Sequence, residues 1–432
     1  MQIVVDKEVE KFDDLKKLTA GSCLGLCGEI IPSQGKKQSI EMQIRKEEGH
    51  YIKIFGDCPG SCYPLAKKEH TYEYLREIAY LRPRTTFMGA ILRVRNSLIY
   101  ATHNFFQSKG FIYLHTPIIT TSDCEGAGQM FQVTTMLTQA NQDPTKLPIE
   151  KDKKVIDYKN DFFAKPAFLT VSGQLEGEAC ACGISDIYTF GPTFRAEISH
   201  TPRHLAEFWM MEPEMAFADI DDGMNLAEDF LKYVIGWALK NNLKDLEFFE
   251  QKFEKDALIK RLQNVIESDF TRITYTEAIS ILEKDIADGK VKFENKIYWG
   301  VDLASEHERY LTEKVFQRPV ILRNYPKEIK SFYMRQNDDG KTVAGYDVLV
   351  PKIGEVIGGS QREERLERLD KRIDELHLNK EAYTWYRDLR VYGTNPHTGF
   401  GLGFERLIMM VTGVENIRDV IPFPRSTGHA EY

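Results

Sequence analysis

The chain has 432 residues and a formal net charge of −8, with 42% hydrophobic and 28% charged residues. This composition is typical of a soluble globular protein with more than one domain. The acidic balance gives no overall attraction to nucleic acid, although a local basic groove would be enough for binding. No apolar run approaches the roughly 20 residues that span a bilayer, and the acidic start MQIVVDKEVEKFDDL does not fit a signal or transit peptide.

Seven cysteines are an odd number in a chain of this size and favour a reducing compartment, the cytoplasm. The pairs Cys23/Cys27 and Cys58/Cys62 share a CxxxC spacing, so a four-cysteine zinc site is one interpretation. The interpretation we favour is that GSCLGLCGEI forms a strand whose cysteines are small core residues.

Residues 1–56 predict short strands with no long helix between them. The strand patterns are MQIVV, CLGLCGEII, SIEMQIRKE and YIKIF. Strands that follow one another in this way indicate part of a small barrel.

A long helix is predicted from Thr85 to Lys109, where apolar residues recur at helical spacing, and Gly110 ends it. The next segment, FIYLHTPIIT, predicts a strand that carries Pro117. Because proline suits an edge strand, this segment could pair with a partner chain. The alternative for the helix is ordinary core packing.

A Gly-rich loop, SDCEGAGQMF (122–131), carries Glu125 and lacks the pattern of a phosphate-binding loop. The Lys/Asp-rich stretch 143–160 predicts a solvated loop. The segment AFLTVSGQLEGE then predicts a strand with Ser172 and Gln174 on one side.

The stretch 187–217 predicts two antiparallel strands joined by a polar loop. Alternation along the second strand places four side chains on one face: Phe208, Met210, Glu212 and Glu214. Three side chains approach this face from the first strand and the loop: Arg195, Arg203 and His204. Unpaired charges in a core cost several kcal/mol (order of magnitude), so these groups should meet one another or a charged ligand. A solvated hairpin edge with ordinary ion pairs is the alternative.

Residues 223–330 predict helices that alternate with short strands and carry no identifiable chemistry. The segment 341–360 predicts a hairpin around PKIG, with Asp347 and Glu355 flanking the turn. Facing carboxylates repel unless a cation lies between them, and oxygen ligands favour magnesium. Exposed hairpin carboxylates are the alternative. The charged segment that follows, QREERLERLDKRIDEL, predicts a helix whose charged residues mostly face solvent, with Arg362 at its start.

The segment HTGFGLGFERLIMMVTG (397–413) predicts a strand followed by a helix from about Phe404. Its glycines allow a ligand to approach the backbone closely. Arg406, in the first helical turn, adds a fork-shaped cation suited to phosphate.

The strings FRAE and RHLAEFWMMEPE resemble the second signature motif of class II aminoacyl-tRNA synthetases, most of all the asparaginyl enzymes of bacterial type. The helix with its proline strand resembles the first motif, which builds the dimer interface, and GFGLGFERL resembles the third. The resemblance extends from about Gly21 to the C terminus. It implies an α+β fold, in which an antiparallel class II sheet is flanked by helices and preceded by a partial OB-fold β-barrel.

The resemblance also implies two domains. Residues 1–70 would form a partial OB-fold anticodon-binding domain with its connector, and residues 71–432 the class II catalytic domain. The family has a few dozen further residues upstream, so the chain is expected to be either a fragment or a protein with an incomplete RNA-binding module.

The resemblance assigns an ATP-binding role to seven residues: Arg195, Glu197, Arg203, His204, Phe208, Glu355 and Arg406. Two of them, Arg195 and Arg406, are the expected catalytic residues, which neutralise phosphate charge. The amino-acid-binding role falls on five residues: Glu125, Ser172, Gln174, Glu212 and Arg362. Asp347 and Glu355 would bind Mg²⁺.

The reaction that the resemblance implies is the activation of L-asparagine by ATP, followed by transfer to tRNA(Asn), in a cytoplasmic homodimer without membrane association. Glu212 would accept a hydrogen bond from the carboxamide and repel aspartate. Ile198, His200 and Pro202 replace more usual small polar residues, so the detail of acceptor-stem contact differs from the family pattern.

Three alternatives stay open to different degrees. An asparagine synthetase-like paralogue, which amidates activated aspartate, is favoured by the shortened N terminus and opposed by Glu212 and the barrel strands. An aspartyl-tRNA synthetase is opposed by Glu212. A non-catalytic synthetase-like binding protein would have lost motif arginines or carboxylates, and none is lost.

Overall fold

The computed structural model describes residues 1–35, 38–65, 68–126, 129–141, 143, 148–150 and 155–432. The chain divides into two compact units, Met1–Leu81 and Arg82–Tyr432. Within the described residues, no helix is both long and apolar enough to cross a membrane.

The first unit consists mainly of short strands. Its elements are β1 (Gln2–Val5), α1 (Phe12–Leu15), β2 (Cys23–Cys27), β3 (Glu29–Pro32), β4 (Ile40–Ile44), β5 (Tyr51–Gly56) and α2 (Tyr72–Glu77). Strand β4 pairs in parallel with β1 and antiparallel with β3, and β2 pairs antiparallel with β5. Val9, Ile44 and Ile52 form a small core. These small sheets fit the predicted partial OB-fold barrel.

The prediction that the cysteines of β2 are core residues is wrong. Cys23 and Cys27 are exposed. They share the face of β2 opposite Leu26, and Leu26 is the residue that packs on the small core. All seven cysteines are free, and the described residues contain no group of three or more His, Cys, Asp or Glu side chains that could hold a metal ion.

The second unit is larger and mixes helices with strands. Its helices are α3 (Thr86–Ser108), α4 (Met136–Ala140), α5 (Gln174–Ile184), α6 (Ile220–Asn241), α7 (Leu243–Phe253), α8 (Leu258–Glu267), α9 (Tyr275–Ala287), α10 (Ser305–Tyr310), α11 (Leu366–Glu375), α12 (Thr384–Val391) and α13 (Phe404–Thr412). Its strands are β6 (Ile112–Leu114), β7 (Ile119–Thr120), β8 (Gln132–Val133), β9 (Ile149–Glu150), β10 (Val155–Ile156), β11 (Ala167–Leu169), β12 (Ile187–Phe194), β13 (Glu207–Ala216), β14 (Thr271–Thr274), β15 (Val320–Pro326), β16 (Thr342–Val350), β17 (Gly354–Gln361) and β18 (His397–Gly403).

Eight of these strands form one sheet in the order β14-β15-β16-β17-β18-β13-β12-β6. Neighbours are antiparallel except for the two end pairs, β14 with β15 and β12 with β6, which are parallel. Helix α6 packs against β16, β17 and β18, helix α3 packs against α6, and helix α5 packs against β12 and β13. This confirms the predicted α+β class with a sheet flanked by helices.

The predicted long helix is confirmed as α3. The Thr85 side chain accepts a hydrogen bond from the Met88 amide at its N-terminal end, and Gly110 follows its C-terminal end with a φ of 87°. Strand β6 is an edge of the large sheet, as predicted, but Pro117 lies in the connection between β6 and β7. Proline has no N–H to donate, and the chain leaves the large sheet there to pair with β11 instead.

Part of the predicted solvated loop forms two short strands, β9 and β10, which pair antiparallel. Residues 144–147 and 151–154 of that stretch lie outside the described residues, as do residues 127 and 128 of the Gly-rich loop.

Candidate active site

A cavity of about 140 Å³ opens beside the loop that joins β12 to β13. All the residues predicted to bind ATP line it: Arg195, Glu197, Arg203, His204, Phe208, Glu355 and Arg406. Gly401 and Gly403 of β18 also line it, and the lack of a side chain there lets a ligand lie against the backbone. A second cavity of about 750 Å³ adjoins the first, since the two share lining residues: Arg203, His204, Glu355 and Arg406.

Arg195, directly after β12, lies between an aromatic ring and a carboxylate. Its guanidinium is 5.4 Å from the centre of the Phe208 ring, and its Nη2 donates to Glu125 Oε1 at 2.6 Å. Among the described residues, Arg195 Nε is buried and has no hydrogen-bond partner. A buried donor without an acceptor is costly, so this geometry fits a site where a ligand supplies the acceptor.

The basic side of the cavity is formed by Arg203 and Arg406. Arg203 Nη1 donates to Ser305 Oγ at 2.7 Å and to the Ile353 carbonyl at 2.6 Å, which fixes its guanidinium. Burial lowers the pKa of Arg203, and the charge of Arg406 lowers it further. The same two causes lower the pKa of His204, which disfavours a third positive charge beside the two arginines. Two cations that repel each other in a partly buried site favour the binding of an anion.

Three carboxyl groups converge beside these arginines. A Cβ atom at Gly358 would lie 3.0 Å from Glu355 Oε1 and 3.4 Å from Asp347 Oδ1, so both side chains reach over the same glycine. The Glu355 amide donates to Glu308 Oε2 at 3.1 Å. Burial and the like charge of Glu355 raise the pKa of Glu308 to about 8.

The cation next to Asp347 in this structure is Lys330, whose Nζ lies 2.7 Å from Asp347 Oδ2. Glu355 pairs with Arg406 at 3.5 Å. Proteins commonly bind Mg²⁺ through one or two carboxylates, and substrate phosphates supply further oxygen ligands. The carboxylates of Asp347 and Glu355 therefore fit a Mg²⁺ site.

Glu212, on β13, is surrounded by neutral donors. It is 5% exposed, and its carboxylate accepts from the Gly173 amide at 3.0 Å, the Thr189 hydroxyl at 3.1 Å and the Ser172 hydroxyl. No cation forms an ion pair with it among the described residues, so its negative charge is stabilised by dipoles and is not cancelled.

Arg362 lies next to this region with its charge already paired. Its guanidinium donates to both carboxylate oxygens of Glu214, one of them at 3.1 Å, and to Ser360 Oγ at 2.8 Å. It also lies 5.3 Å from the centre of the Tyr333 ring. Burial opposes the charged form of Arg362, but Glu214 outweighs burial and raises the pKa of Arg362.

Glu125 lies within electrostatic reach of both predicted sets. Burial raises the pKa of Glu125, Arg195 partly offsets that rise, and the charges of Glu197 and Glu212 add to it. Because Glu197 belongs to the predicted nucleotide set and Glu212 to the amino-acid set, the two sets adjoin at Glu125.

Two local expectations for the amino-acid set are wrong. Ser172 and Gln174 do not share a strand, because β11 ends at Leu169 and Gln174 is the first residue of α5. Arg362 is not at a helix start, because it directly follows β17 and α11 begins at Leu366. In both places glycines, Gly173 and those near the end of β17, interrupt the hydrophobic periodicity from which the end of the strand would be predicted.

Sequence reasoning missed Glu308, Lys330 and Glu178. Glu308 lies in SEHERY and Lys330 in YPKEIK. Both sequences are as polar and charged as an ordinary solvent-exposed segment, so neither indicates a functional site. Glu178 is fully buried and accepts a hydrogen bond from Gln174 Nε2 at 3.0 Å. Its position four residues after Gln174 on α5 was the only local signal that the two could touch.

Comparisons with known proteins match most or all of the chain. Residues 71–427 match the family model of class II tRNA synthetases (D, K and N). The asparagine–tRNA ligase of Parabacteroides distasonis is 57% identical over 435 residues, which cover 100% of this chain and 89% of that protein. The chloroplastic/mitochondrial asparagine–tRNA ligase of Arabidopsis thaliana is 55% identical, and the alignment covers 100% of this chain and 75% of that protein.

A solved structure is also similar over nearly the whole chain. It is the crystal structure of asparaginyl-tRNA synthetase from Pyrococcus horikoshii complexed with asparaginyl-adenylate. The TM-score is 0.83 at 32% sequence identity, over 99% of this chain and 89% of that chain. A family match over most of the chain, together with relatives of this identity and coverage, leaves one assignment: the chain belongs to the class II tRNA synthetases and, within them, to the asparagine–tRNA ligases.

Proposed function

We propose that this enzyme activates L-asparagine with ATP and transfers the asparaginyl group to tRNA(Asn). The observation that carries the proposal is a single cavity lined by every residue predicted to bind ATP, joined through Arg195 and Glu125 to the predicted amino-acid set.

In the first step, a carboxylate oxygen of asparagine attacks the α-phosphorus of ATP. A new P–O bond forms, the bond to the β-phosphate breaks, and pyrophosphate leaves. Such a displacement needs positioning and charge neutralisation more than a protein nucleophile. Arg195, with its unpaired Nε, would hold the α-phosphate and the carboxylate, because it lies where the two substrate sites adjoin.

The lining of the cavity supports the remaining nucleotide contacts that the resemblance implies. Phe208 would stack on adenine, and Glu197 would accept a hydrogen bond from the adenine amino group. Arg203 and Arg406 would hold the outer phosphates. Asp347 and Glu355 would hold Mg²⁺, which neutralises phosphate charge when bound.

The choice of asparagine over aspartate follows from the charges around the amino-acid pocket. Among the described residues, the carboxylate of Glu212 accepts hydrogen bonds only from neutral groups. Arg362 offers no free positive charge, because Glu214 pairs with it. Aspartate would therefore bring a second carboxylate to a site with an uncancelled negative charge, whereas the carboxamide of asparagine can donate to Glu212.

In the second step, a ribose hydroxyl at the 3′ end of tRNA attacks the acyl carbon, and AMP leaves. Recognition of the anticodon would fall to the first unit, where alternation along β5 places Tyr51, Lys53 and Phe55 on one exposed face. Lys53 Nζ lies 4.6 Å from the centre of the Phe55 ring, and Phe55 is 62% exposed. Exposed aromatic rings interleaved with a cation suit the stacking of single-stranded bases.

We also propose that two copies pair through the first motif. Strand β6 is an edge of the large sheet, and Ile112 on it is exposed, as are Ile118 and Ile119 just beyond it. The free thiols fit the proposed reducing compartment, the cytoplasm.

The experiment that tests the activation step is the exchange of labelled pyrophosphate into ATP. Exchange should depend on asparagine and should be negligible with aspartate. An Arg195→Ala variant should lose most of the exchange, whereas Arg93→Ala, which removes an exposed ion pair with Asp245, should retain it. Exchange driven by aspartate, with release of free asparagine when ammonia is added, would instead favour an aspartate-amidating enzyme.

A further inference from the structure

A buried carboxylate, Glu178, lies beside two residues of the predicted amino-acid set, Gln174 and Arg362. Glu178 is 0% exposed and accepts hydrogen bonds from three side chains on other elements. Tyr386 Oη donates at 2.8 Å, Arg390 Nη2 at 2.9 Å, and His397 Nε2 lies 2.9 Å from Oε2. Burial alone raises the pKa of Glu178, but Arg390 and His397 outweigh burial and hold it below its ordinary value. Glu178 is therefore an ionised acceptor at neutral pH.

The fourth partner of Glu178 belongs to the proposed amino-acid site. Gln174 Nε2 donates to Glu178 Oε1 at 3.0 Å. A carboxylate only accepts, so it must face the NH₂ end of the Gln174 amide. The carbonyl oxygen of Gln174 is consequently the end directed away from Glu178. Glu178 thus determines which end of this amide is available to a ligand.

Glu178 also contributes to the surroundings of Arg362. Glu178 Oε1 lies 3.9 Å from Arg362 Nε. The same guanidinium forms an ion pair with Glu214. A single carboxylate therefore contacts Gln174 and lies beside Arg362, two of the residues assigned to the amino acid.

We propose that Glu178 is a positioning residue for the amino-acid pocket. It holds Gln174 so that the amide oxygen, and not the amide nitrogen, faces the substrate and accepts a hydrogen bond from the α-ammonium group of asparagine. This inference rests on the proposed function, because it concerns the same pocket.

The Glu178→Gln substitution tests the inference, because the geometry predicts how the new amide must lie. Arg390 can only donate, and it donates at the Oε2 position, so the new oxygen occupies that position and the new NH₂ group faces Gln174. Gln174 must then turn its oxygen toward residue 178 and its NH₂ group toward the ammonium. The KM for asparagine in pyrophosphate exchange should rise about tenfold to a hundredfold, the usual range for one lost charge-assisted hydrogen bond. The KM for ATP should change less than about twofold.

A second substitution should rescue the first. In the Glu178→Gln/Gln174→Glu double variant, residue 174 accepts from the new amide with one oxygen and keeps the other for the ammonium. The KM for asparagine should recover at least about tenfold relative to Glu178→Gln. A purely structural role for Glu178, through Tyr386 and Arg390, would not be repaired by a change at residue 174. A matched control is Glu228→Gln on α6, which removes a carboxylate paired with Lys232 and Arg272 and should change neither KM.

An independent variant keeps the proposal testable if Glu178→Gln does not fold. Gln174→Met removes the amide, leaves Glu178 with its other three donors and should raise the KM for asparagine by a similar factor. An unchanged KM for asparagine in Gln174→Met or in folded Glu178→Gln, or a double variant no better than Glu178→Gln, would overturn the role of Glu178. Absence of asparagine-dependent exchange in the unsubstituted enzyme would instead remove the proposed function itself.

Discussion

The sharpest consequence of the pocket charges is the effect of Glu212→Gln on the choice between asparagine and aspartate. The substitution removes a negative charge that is 5% exposed and hydrogen-bonded only to neutral groups among the described residues. Two like charges roughly 5 Å apart, at an effective dielectric constant of about 20, repel by about 3 kcal/mol. That energy corresponds to about a 200-fold difference in binding.

We therefore expect the ratio of kcat/KM for asparagine to kcat/KM for aspartate to fall by about two orders of magnitude in Glu212→Gln. Part of the fall should be a loss for asparagine. The carboxamide of asparagine would donate to a neutral amide oxygen, a weaker acceptor than a carboxylate, while the Ser172 hydroxyl could accept from the new NH₂ group. The KM for ATP should change less than about twofold, because Glu212 does not line the cavity that holds the nucleotide set.

The assay is pyrophosphate exchange with each amino acid over a range of concentrations. Glu207→Gln is the matched control, because Glu207 lies at the other end of β13, opposite Phe194. An unchanged asparagine-to-aspartate ratio in folded Glu212→Gln would refute the argument that the uncancelled charge of Glu212 excludes aspartate.

Two further predictions concern the other substrates. Arg406→Ala should raise the KM for ATP in exchange by about tenfold to a hundredfold through loss of a charged phosphate contact, and a normal ATP dependence would contradict the assignment of Arg406. Phe55→Ala should raise the KM for tRNA in charging by about tenfold, which corresponds to the loss of stacking on about one base. Pyrophosphate exchange should not change, because it needs no tRNA. A Phe55→Ala enzyme that charges tRNA with an unaltered KM would remove the β5 face from tRNA binding.

The elements that the sequence predicted well are those whose pattern is local. The strands β12 and β13 follow from alternating aromatics around a polar loop that contains Pro202, and the β16–β17 hairpin follows from its PKIG turn. The start of α13 at Phe404 follows from the glycines before it. Each of these signals lies within about one element, where periodicity and turn residues are informative.

The parts that the sequence did not predict depend on residues far apart in the chain. Glu178 meets His397 across 219 positions, and nothing near either residue indicates that contact. Lys330 contacts Asp347 because the turn Lys327–Ile329 reverses the chain so that Lys330 lies beside β16. Glu308 contacts the Glu355 amide because α10 packs against β17. The resemblance to a family identified the residues that are proposed to bind substrate, but the charged groups that pair with them were visible only in the fold.

The attachment of labelled asparagine and labelled aspartate, in parallel, to tRNA(Asn) is the most direct test of the proposed function. We expect ATP-dependent charging with asparagine and a rate with aspartate lower by about two orders of magnitude, because of the repulsion at Glu212. Equal charging with both amino acids, or attachment of aspartate alone, would contradict the proposed function.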